Sequence, residues 1–465
     1  MYDYILNSDD TITAISTPEG IGAISIIRIS GKKSIKIINK IFYNKKKNKY
    51  NFTNIGIIKN KNNIIDQVIV IIFKKPNSYT GENLVEIFCH GSIYIQKTII
   101  KIIINNGARL AKNGEFTCRA FLNKKITLLQ AESVLDIINS ENKIYHKIAI
   151  NNLLYGKLSN YILKIEKKIL NILSYIEISL DFTEEDIYIN KKKIYNNILY
   201  IEKKIKLLVK SFSINSLIKE GFYISIIGPV NSGKSTLMNA LIKEEKSIIS
   251  NIPGTTRDVV EGKIVIKNFN FFLFDTAGIR KSKYIIENIG IKKTFKKIKE
   301  SNIIFYVFDF LLLKNIKYFK KKIKKYYNLF LKKKVILIAN KIDKKKKYIY
   351  KIKYIKINKK KIKIIFISAK NKIGLHKIKK FLKKQIPNKN IKENNLINNI
   401  RHYEELRNVF KLIKKVKKDF KQKISLELIS IDLRESISCL YKLNGKSFDN
   451  NYILNNIFSK FCIGK

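Results

Sequence analysis

Three changes of pattern predict a multidomain α/β protein. The sequence divides into an α+β domain over residues 1–122, a helical domain in two parts, 123–218 and 385–465, and an α/β domain inserted between them over 219–384. In the first part, short β-rich runs (12–16, 23–29 and 66–73) alternate with turn sequences such as Pro76-Asn77-Ser78 and Thr80-Gly81. From 126 to about 215 apolar residues recur at helical spacing, as in ITLLQAESVLDIINS and KKILNILSYIEISLDF, and the spacing returns over 400–457. Between these, over about 220–383, apolar strands alternate with helical segments, which predicts a mostly parallel sheet flanked by helices. Pro387 and the polar stretch 387–399 mark the exit from the insert. An insertion at an exposed loop, with the two helical parts packing together, is the economical arrangement.

Composition bounds the partners only weakly. The net charge is +57, yet Arg supplies just eight of the 93 basic residues, and Lys, Ile and Asn dominate throughout. Uniform enrichment points to compositional drift, whereas a nucleic-acid footprint is a local stripe. Such a surface still attracts polyanions through counterion release. Lysine runs such as 320–325 and 343–347 read as solvated faces. The four cysteines (Cys89, Cys118, Cys439, Cys462) lack paired metal spacing, and the N-terminus lacks a signal-peptide pattern, so reduced thiols in a cytoplasmic protein are expected. Neither is there a run of 18 apolar residues: 303–313 is broken by Asp309 and reads as a buried strand, and no membrane association is expected.

The chemistry begins after the apolar strand 222–227 (FYISII), where the chain reads Gly-Pro-Val-Asn-Ser-Gly-Lys-Ser-Thr over 228–236 and enters a helix over 235–243. Strand, glycine-rich loop and helix in this order form a P-loop. Gly228 and Gly233 let the backbone wrap so that successive N–H groups, including those of Asn231 and Ser232, face phosphate oxygens. Lys234 reaches the β- and γ-phosphates, Ser235 offers a hydroxyl to magnesium, and Thr236 continues the first helical turn. Asp275-Thr276-Ala277-Gly278 ends the strand 271–274: Asp275 suits a water-mediated magnesium contact, and the Gly278 amide can sense the γ-phosphate. Between these motifs lies Gly254-Thr255-Thr256-Arg257-Asp258, in which Thr256 can close over magnesium and release after hydrolysis.

Asn340-Lys341-Ile342-Asp343 follows the strand 335–339 and reads guanine. An ionised Asp343 accepts from guanine N1–H and its 2-amine. Adenine has an acceptor at N1 and no 2-amine, which leaves the carboxylate unpaired at a cost of several kcal/mol. Ser368-Ala369-Lys370 ends the strand 363–367 and suits a loop that supports the base. The residues therefore define a GTP-binding module. Ile279 occupies the position after the DxxG string and cannot orient water, so hydrolysis needs another residue, a partner or a rearrangement. Glu287 is a candidate, although a lone Glu among lysines is more often a solvated charge.

The ends of the chain carry a second pattern: TPEGIGAISIIRISG (17–31), PNSYTGENLVEIFCHG (76–91), GEFTCRAFLNKKITLLQAE (114–132) and the terminal Phe461-Cys462-Ile463-Gly464-Lys465. With the GTP motifs, and in the same order from about residue 10 to the last, these blocks resemble the MnmE (TrmE) family of tRNA-modification GTPases. The resemblance implies a homodimer whose N-terminal domain is of the folate-binding type. That domain would take a one-carbon tetrahydrofolate derivative (5-formyl- or methylene-tetrahydrofolate). It implies an FAD-containing partner, MnmG, in a heterotetramer that modifies carbon 5 of the wobble uridine of certain tRNAs. It also implies GTPase domains that pair face to face with potassium and GTP bound.

Carried over by motif, Glu287 is the family's general-base-like glutamate. Arg28, Glu86, Lys125 and Lys465 are its folate contacts. Potassium falls to Asn231 with the loop Ser250, Asn251, Ile252, Pro253, Gly254 and Thr255, adding positive charge beside the phosphates. Cys462 is kept by the family, as nucleophile, redox group or packing residue. The chain departs from the family's G-x-P-N cradle, since here Pro229 precedes Val230. An Era-type ribosome-assembly GTPase would carry a C-terminal RNA-binding domain with a GxxG loop, which this tail lacks. A drifted scaffold without turnover is the other alternative, and the intact Lys234, Ser235, Thr256, Asp275 and Asp343 argue against it.

Overall fold

The computed structural model describes residues 10–44, 53–61, 63–181, 191–244, 262–267, 269–275, 300–324, 326, 333–344, 354–357, 360–386, 397, 399–446, 457–458, 461–462 and 464. In chain order the first elements are β1 (Ile12–Ile15), β2 (Gly22–Ser30), α1 (Ser34–Ile41), β3 (Phe42–Tyr43), β4 (Thr53–Asn60), β5 (Asn63–Phe73), β6 (Leu84–Gly91), α2 (Ile93–Asn105), β7 (Arg109–Leu110) and α3 (Glu115–Leu122). Helices α4 (Leu128–Ile138), α5 (Lys143–Tyr155), α6 (Lys157–Asp181) and α7 (Lys191–Glu220) follow. Then come β8 (Phe222–Ile227), α8 (Lys234–Glu244), β9 (Gly262–Ile266), β10 (Phe269–Asp275), β11 (Ile303–Asp309), α9 (Ile316–Lys324), β12 (Lys334–Asn340), β13 (Tyr354–Ile357), β14 (Lys360–Phe366) and α10 (Leu375–Gln385). Helices α11 (Ile400–Lys421) and α12 (Leu426–Asn444) close the sequence of elements.

Two compact units result: Met1–Asn139, Lys147–Val209 and Ile400–Lys465 form one, and Ser140–His146 with Lys210–Asn399 the other. Ser140–His146 joins the second unit for local reasons. Asn142 Nδ2 donates to the Ile218 carbonyl at 2.7 Å, and Tyr145 is buried in that unit's core.

In the first unit a seven-stranded sheet has the order β3-β4-β5-β6-β2-β1-β7. Its pairs are antiparallel except β1 with β7. Successive side chains of a strand face opposite ways. Ile27 and Ile29 of β2 and Val85 and Ile87 of β6 therefore enter the core under α1 and α2. Arg28 and Glu86, one position out of phase, are directly paired on the other face. Beyond them, Asp10, Glu82, Arg109, Glu115 and Arg119 form one ionic network. Glu115 is fully buried and takes Arg109 at 2.6 Å and Arg119 at 3.1 Å, and Arg119 also reaches Asp10 at 2.6 Å. Burial opposes ionisation of Glu115, but the hydrogen bond from Arg109 and its other partners prevail and hold its carboxyl below the usual value.

The two helical parts meet as the split pattern predicts: α11 packs on α12, and α12 on α6. Helix α4 opens with a reciprocal capping box between Thr127 and Gln130. Its Glu132 is buried and accepts from Arg401 (2.7 and 3.1 Å) and His402 (2.5 Å) in the first turn of α11. One carboxylate thus joins segments about 270 positions apart.

In the second unit the order is β13-β14-β12-β11-β8-β10-β9. The pairs from β14 to β10 are parallel, and the two outermost pairs are antiparallel. Buried on both faces, β11 divides its apolar run: Ile303, Phe305 and Val307 enter one core, and Ile304, Tyr306 and Phe308 the other. The strand expected over 303–313 ends at Asp309, and Phe310–Lys314 forms a 3-10 helix. The Asp309 carboxylate caps that helix by accepting from the Leu311 amide at 3.1 Å, and an apolar run conceals such a change of element.

Burial alone raises the Glu132 carboxyl, but the charges and hydrogen bonds of His402 and Arg401 outweigh it and hold the group at about 2. Its unfolded value is higher, so its stabilisation is complete above about pH 5 and lost as pH falls toward 2. Glu132→Gln should lower the stability of this unit at pH 7 by about 3–5 kcal/mol, read from urea unfolding. The difference from wild type should shrink progressively between about pH 5 and pH 3.

Candidate nucleotide and tail sites

Among the described residues, four motifs of the second unit lie at the carboxyl ends of parallel strands. The loop 228–233 leaves β8, Asp275 ends β10, Asn340 ends β12 and Ser368 follows β14. Because β8 has β10 on one side and β11 on the other, its loop opens where the strand order reverses, the usual ligand position in such sheets. Gly228 is required by space: a Cβ there would lie 1.9 Å from the Val307 carbonyl oxygen. Helix α8 starts at Lys234, and the partial positive charge of its N-terminus favours an anion. Lys234 is nearly buried and folds back on the loop, donating to the carbonyls of Pro229 (2.9 Å) and Gly228 (3.3 Å). Ser235 and Thr236 are exposed in the first turn, where the Ser235 hydroxyl suits a hard cation.

Asn340 joins three loops. It is almost fully buried, donates from Nδ2 to the Ser232 carbonyl at 2.9 Å, and accepts at Oδ1 from the Ala369 amide at 2.9 Å. Gly233, at φ +87, leaves room for this amide, since a Cβ would stand 2.3 Å from Asn340 Nδ2. Lys341 reaches back to the Asn231 carbonyl at 2.5 Å, and both residues are left-handed, at φ 66 and φ 59. Ser368 Oγ donates to Asp343 Oδ1 at 2.5 Å. That hydrogen bond, helped by the nearby charges of Lys370 and Lys344, lowers the Asp343 pKa and keeps an acceptor-only carboxylate facing outward. The structure thus gathers Asn231, Ser232, Gly233, Lys234, Ser235, Thr236, Asn340, Lys341, Asp343, Ser368, Ala369 and Lys370 around one edge of the sheet. Ser250 through Thr256, Thr276 through Gly278, Glu287 and Lys465 lie outside the described residues, as does the side chain of Asp275.

On the first unit's sheet Arg28 binds Glu86 through Nε (3.0 Å) and Nη2 (2.7 Å). Its guanidinium lies 5.3 Å from the Tyr79 ring centre and 5.5 Å from that of Phe116. The remaining Nη1 donates to the Gly464 carbonyl at 3.3 Å, which the Ser16 hydroxyl also reaches at 3.2 Å. The Gly114 amide donates to the Cys462 carbonyl at 3.4 Å. Phe458 and Phe461 anchor the tail in a core with Cys118, Leu128 and Ala131. Lys125 donates to Pro76 at 2.9 Å, in the loop that carries Tyr79. Arg28 and Glu86 therefore satisfy each other, and Arg28 also holds the tail. Of the four cysteines only Cys462 is exposed. Burial pushes the thiols of Cys89 and Cys439 up to about 11 and that of Cys118 to about 12. Sequence reasoning missed Ser16, Gly114 and Asp309. The first two act through contacts that no local pattern encodes, while Asp309 shared a visible signal with Asp275: a polar residue ending an apolar strand.

A P-loop, a buried Asn tie and an outward carboxylate define a P-loop GTPase. Comparison with known proteins narrows the class. The family model for the "GTP-binding protein TrmE N-terminus" matches residues 11–125, and that for the "MnmE helical domain" matches 128–462. The tRNA modification GTPase MnmE of Flavobacterium johnsoniae is 40% identical, covering 98% of this chain and 100% of its own length. That of Fervidobacterium nodosum is 39% identical, covering 98% of each. The chain belongs to the MnmE (TrmE) family of tRNA modification GTPases. Among solved structures, Aquifex aeolicus Era bound to GDP and AlF4- is 27% identical and covers 41% of this chain and 66% of its own, at a TM-score of 0.27. Among the described residues, no helix is long and apolar enough to cross a membrane.

Gly233→Ala should displace Asn340 and weaken GDP binding about a hundredfold, measured with a fluorescent GDP analogue. Gly464→Ala would set a Cβ 2.2 Å from the Ile15 carbonyl oxygen at φ +95. Carboxypeptidase digestion of the tail, followed by mass spectrometry, should accelerate several-fold in that variant.

Proposed function

We propose that this protein is a potassium-dependent GTP hydrolase whose turnover drives modification of carbon 5 of the wobble uridine in certain tRNAs. The reaction adds an aminomethyl or carboxymethylaminomethyl group. The protein works as a homodimer with the FAD-containing MnmG, and a one-carbon tetrahydrofolate derivative is the carbon donor. The observation that supports this reading most is the match to tRNA modification GTPases over nearly the whole chain, both ends included. A nucleotide-binding module alone would leave those ends unmatched.

Within that reading each site residue has a task. Lys234 leaves the loop carbonyls for the β- and γ-phosphates, and Ser235 holds magnesium, with Thr256 closing over it. Asp343 accepts two hydrogen bonds from guanine, steadied by Ser368. Asn231 and the loop Ser250–Thr255 hold potassium, whose charge serves as an arginine finger does elsewhere. Glu287 orients the attacking water, a task that Ile279 cannot perform. Arg28, Glu86, Lys125 and Lys465 face the folate: the cations suit its glutamate tail and Glu86 suits the N–H groups of its pterin. Ligand binding at this site competes with the Arg28–Glu86 pair. Cys462 stands beside it on the docked tail.

Steady-state GTP hydrolysis in potassium and in sodium tests the proposal. Potassium should raise the rate at least tenfold, and Glu287→Ala should abolish the gain. Equal slow rates in both ions would favour a simple switch or a scaffold without turnover. In a second experiment, Asp343→Asn should bind xanthosine diphosphate in preference to GDP, because the introduced amide donates to a 2-oxo group and no longer pairs with a 2-amine. Undiminished GDP binding by that variant would remove Asp343 from base recognition.

A further inference from the structure

Asp309 ends β11 and is directly paired in the sheet with Asn340, the first residue of the guanine-reading loop. Its two carboxylate oxygens are divided between two tasks. Oδ1 accepts from the Leu311 amide at 3.1 Å, and Oδ2 stands 3.4 Å from Lys341 Nζ and 3.8 Å from Lys344 Nζ. The Lys341 ammonium donates at the same time to the Asn231 carbonyl in the phosphate loop. Its side chain is therefore a strut running from the base-reading loop to the phosphate cradle, with its charged end held between a backbone carbonyl and a carboxylate.

That strut needs the carboxylate. A carbonyl oxygen alone is a weak anchor for an ammonium, because a hydrated Lys gives up a water contact and much rotamer freedom to stay in one place. When the charge of Asp309 is removed, bulk water competes for the lysine. The strut connects two residues in left-handed conformations, Asn231 and Lys341. Each carries a backbone cost that a fixed neighbour must offset.

We propose that Asp309 is a positioning residue for guanine-nucleotide binding, acting through Lys341 to hold the base-reading loop against the phosphate loop. This deepens the nucleotide-binding reading above and rests on it. Asp309 touches no nucleotide in this role. Its contribution is that the two halves of the site are already joined when the ligand arrives, which lowers the ordering cost of binding.

A double-mutant cycle measures the coupling. Asp309→Asn keeps an oxygen for the Leu311 amide and loses the charge, and Lys341→Met keeps the apolar stem and loses the ammonium. GDP affinity and dissociation rate are measured for wild type, both single variants and the double variant, with thermal melting of the nucleotide-free proteins alongside. Asp309→Asn should weaken GDP binding by about threefold to tenfold, chiefly through faster dissociation. The double variant should bind no worse than Lys341→Met alone, and Lys344→Met should leave the effect of Asp309→Asn intact. Asp309→Glu, which keeps the charge, should lose less affinity than Asp309→Asn and serves if the latter folds poorly. Full additivity of the two substitutions, or unchanged GDP affinity in Asp309→Asn, would overturn the inference while leaving the nucleotide-binding reading in place. Failure of the wild-type chain to bind GDP would overturn both.

Discussion

One carboxamide carries the nucleotide site. Asn340 offers a donor and an acceptor from the same rigid group, and it uses them on two different loops, at Ser232 and Ala369. A hydroxyl offers both from a single atom, whereas the carboxamide places its donor and its acceptor on separate atoms that can reach two loops. An aspartate would face the Ser232 carbonyl with a second acceptor, and a leucine would leave two buried backbone groups unpaired, at about 1–3 kcal/mol each. The parallel strands bring the loops to one edge of the sheet, and Asn340 makes them one surface. Gly233 is obligatory for the same reason, because a Cβ would occupy the place of the carboxamide.

The N-terminal unit follows a related logic with different parts. Period-two alternation puts Arg28 and Glu86 side by side on the face away from the core. The distant C-terminus is then drawn to that face, with Gly464 playing the role that Gly233 plays in the other unit. In both places a long-range contact passes through a position where only a glycine fits. In both places too, a cation waits on neighbouring oxygens: Lys234 on the carbonyls of its own loop, Arg28 on Glu86 and on the tail. Within the proposed function, an anionic ligand at either site would exchange one set of partners for another.

How much of this the sequence disclosed depends on the range of the interaction. FYISII before a glycine-rich loop is a local pattern, and β8, the loop and α8 fall where it indicates. The strands that end at Asp275 and Asn340 are equally local, and so is the helical spacing on each side of the insert. The end of β11 is not, because an apolar residue serves a strand and a 3-10 helix alike, and only the cap on Leu311 distinguishes them. The Glu132 contact with Arg401 and His402, and the hold of Ser16 on Gly464 across 448 positions, have no local signature at all. Motif resemblance pointed to Arg28 and Glu86 as ligand contacts. It could not reveal that the two pair with each other.

The most direct test of the account is a calorimetric titration of the purified chain and of Asn340→Ala with GDP and with ADP in the presence of magnesium. The wild-type chain should bind GDP and give no heat with ADP, and Asn340→Ala should lose GDP binding while still unfolding cooperatively, at a lower temperature. Equal binding of the two nucleotides, or a variant that binds GDP as the wild type does, would contradict the claim that this carboxamide assembles a guanine-specific site.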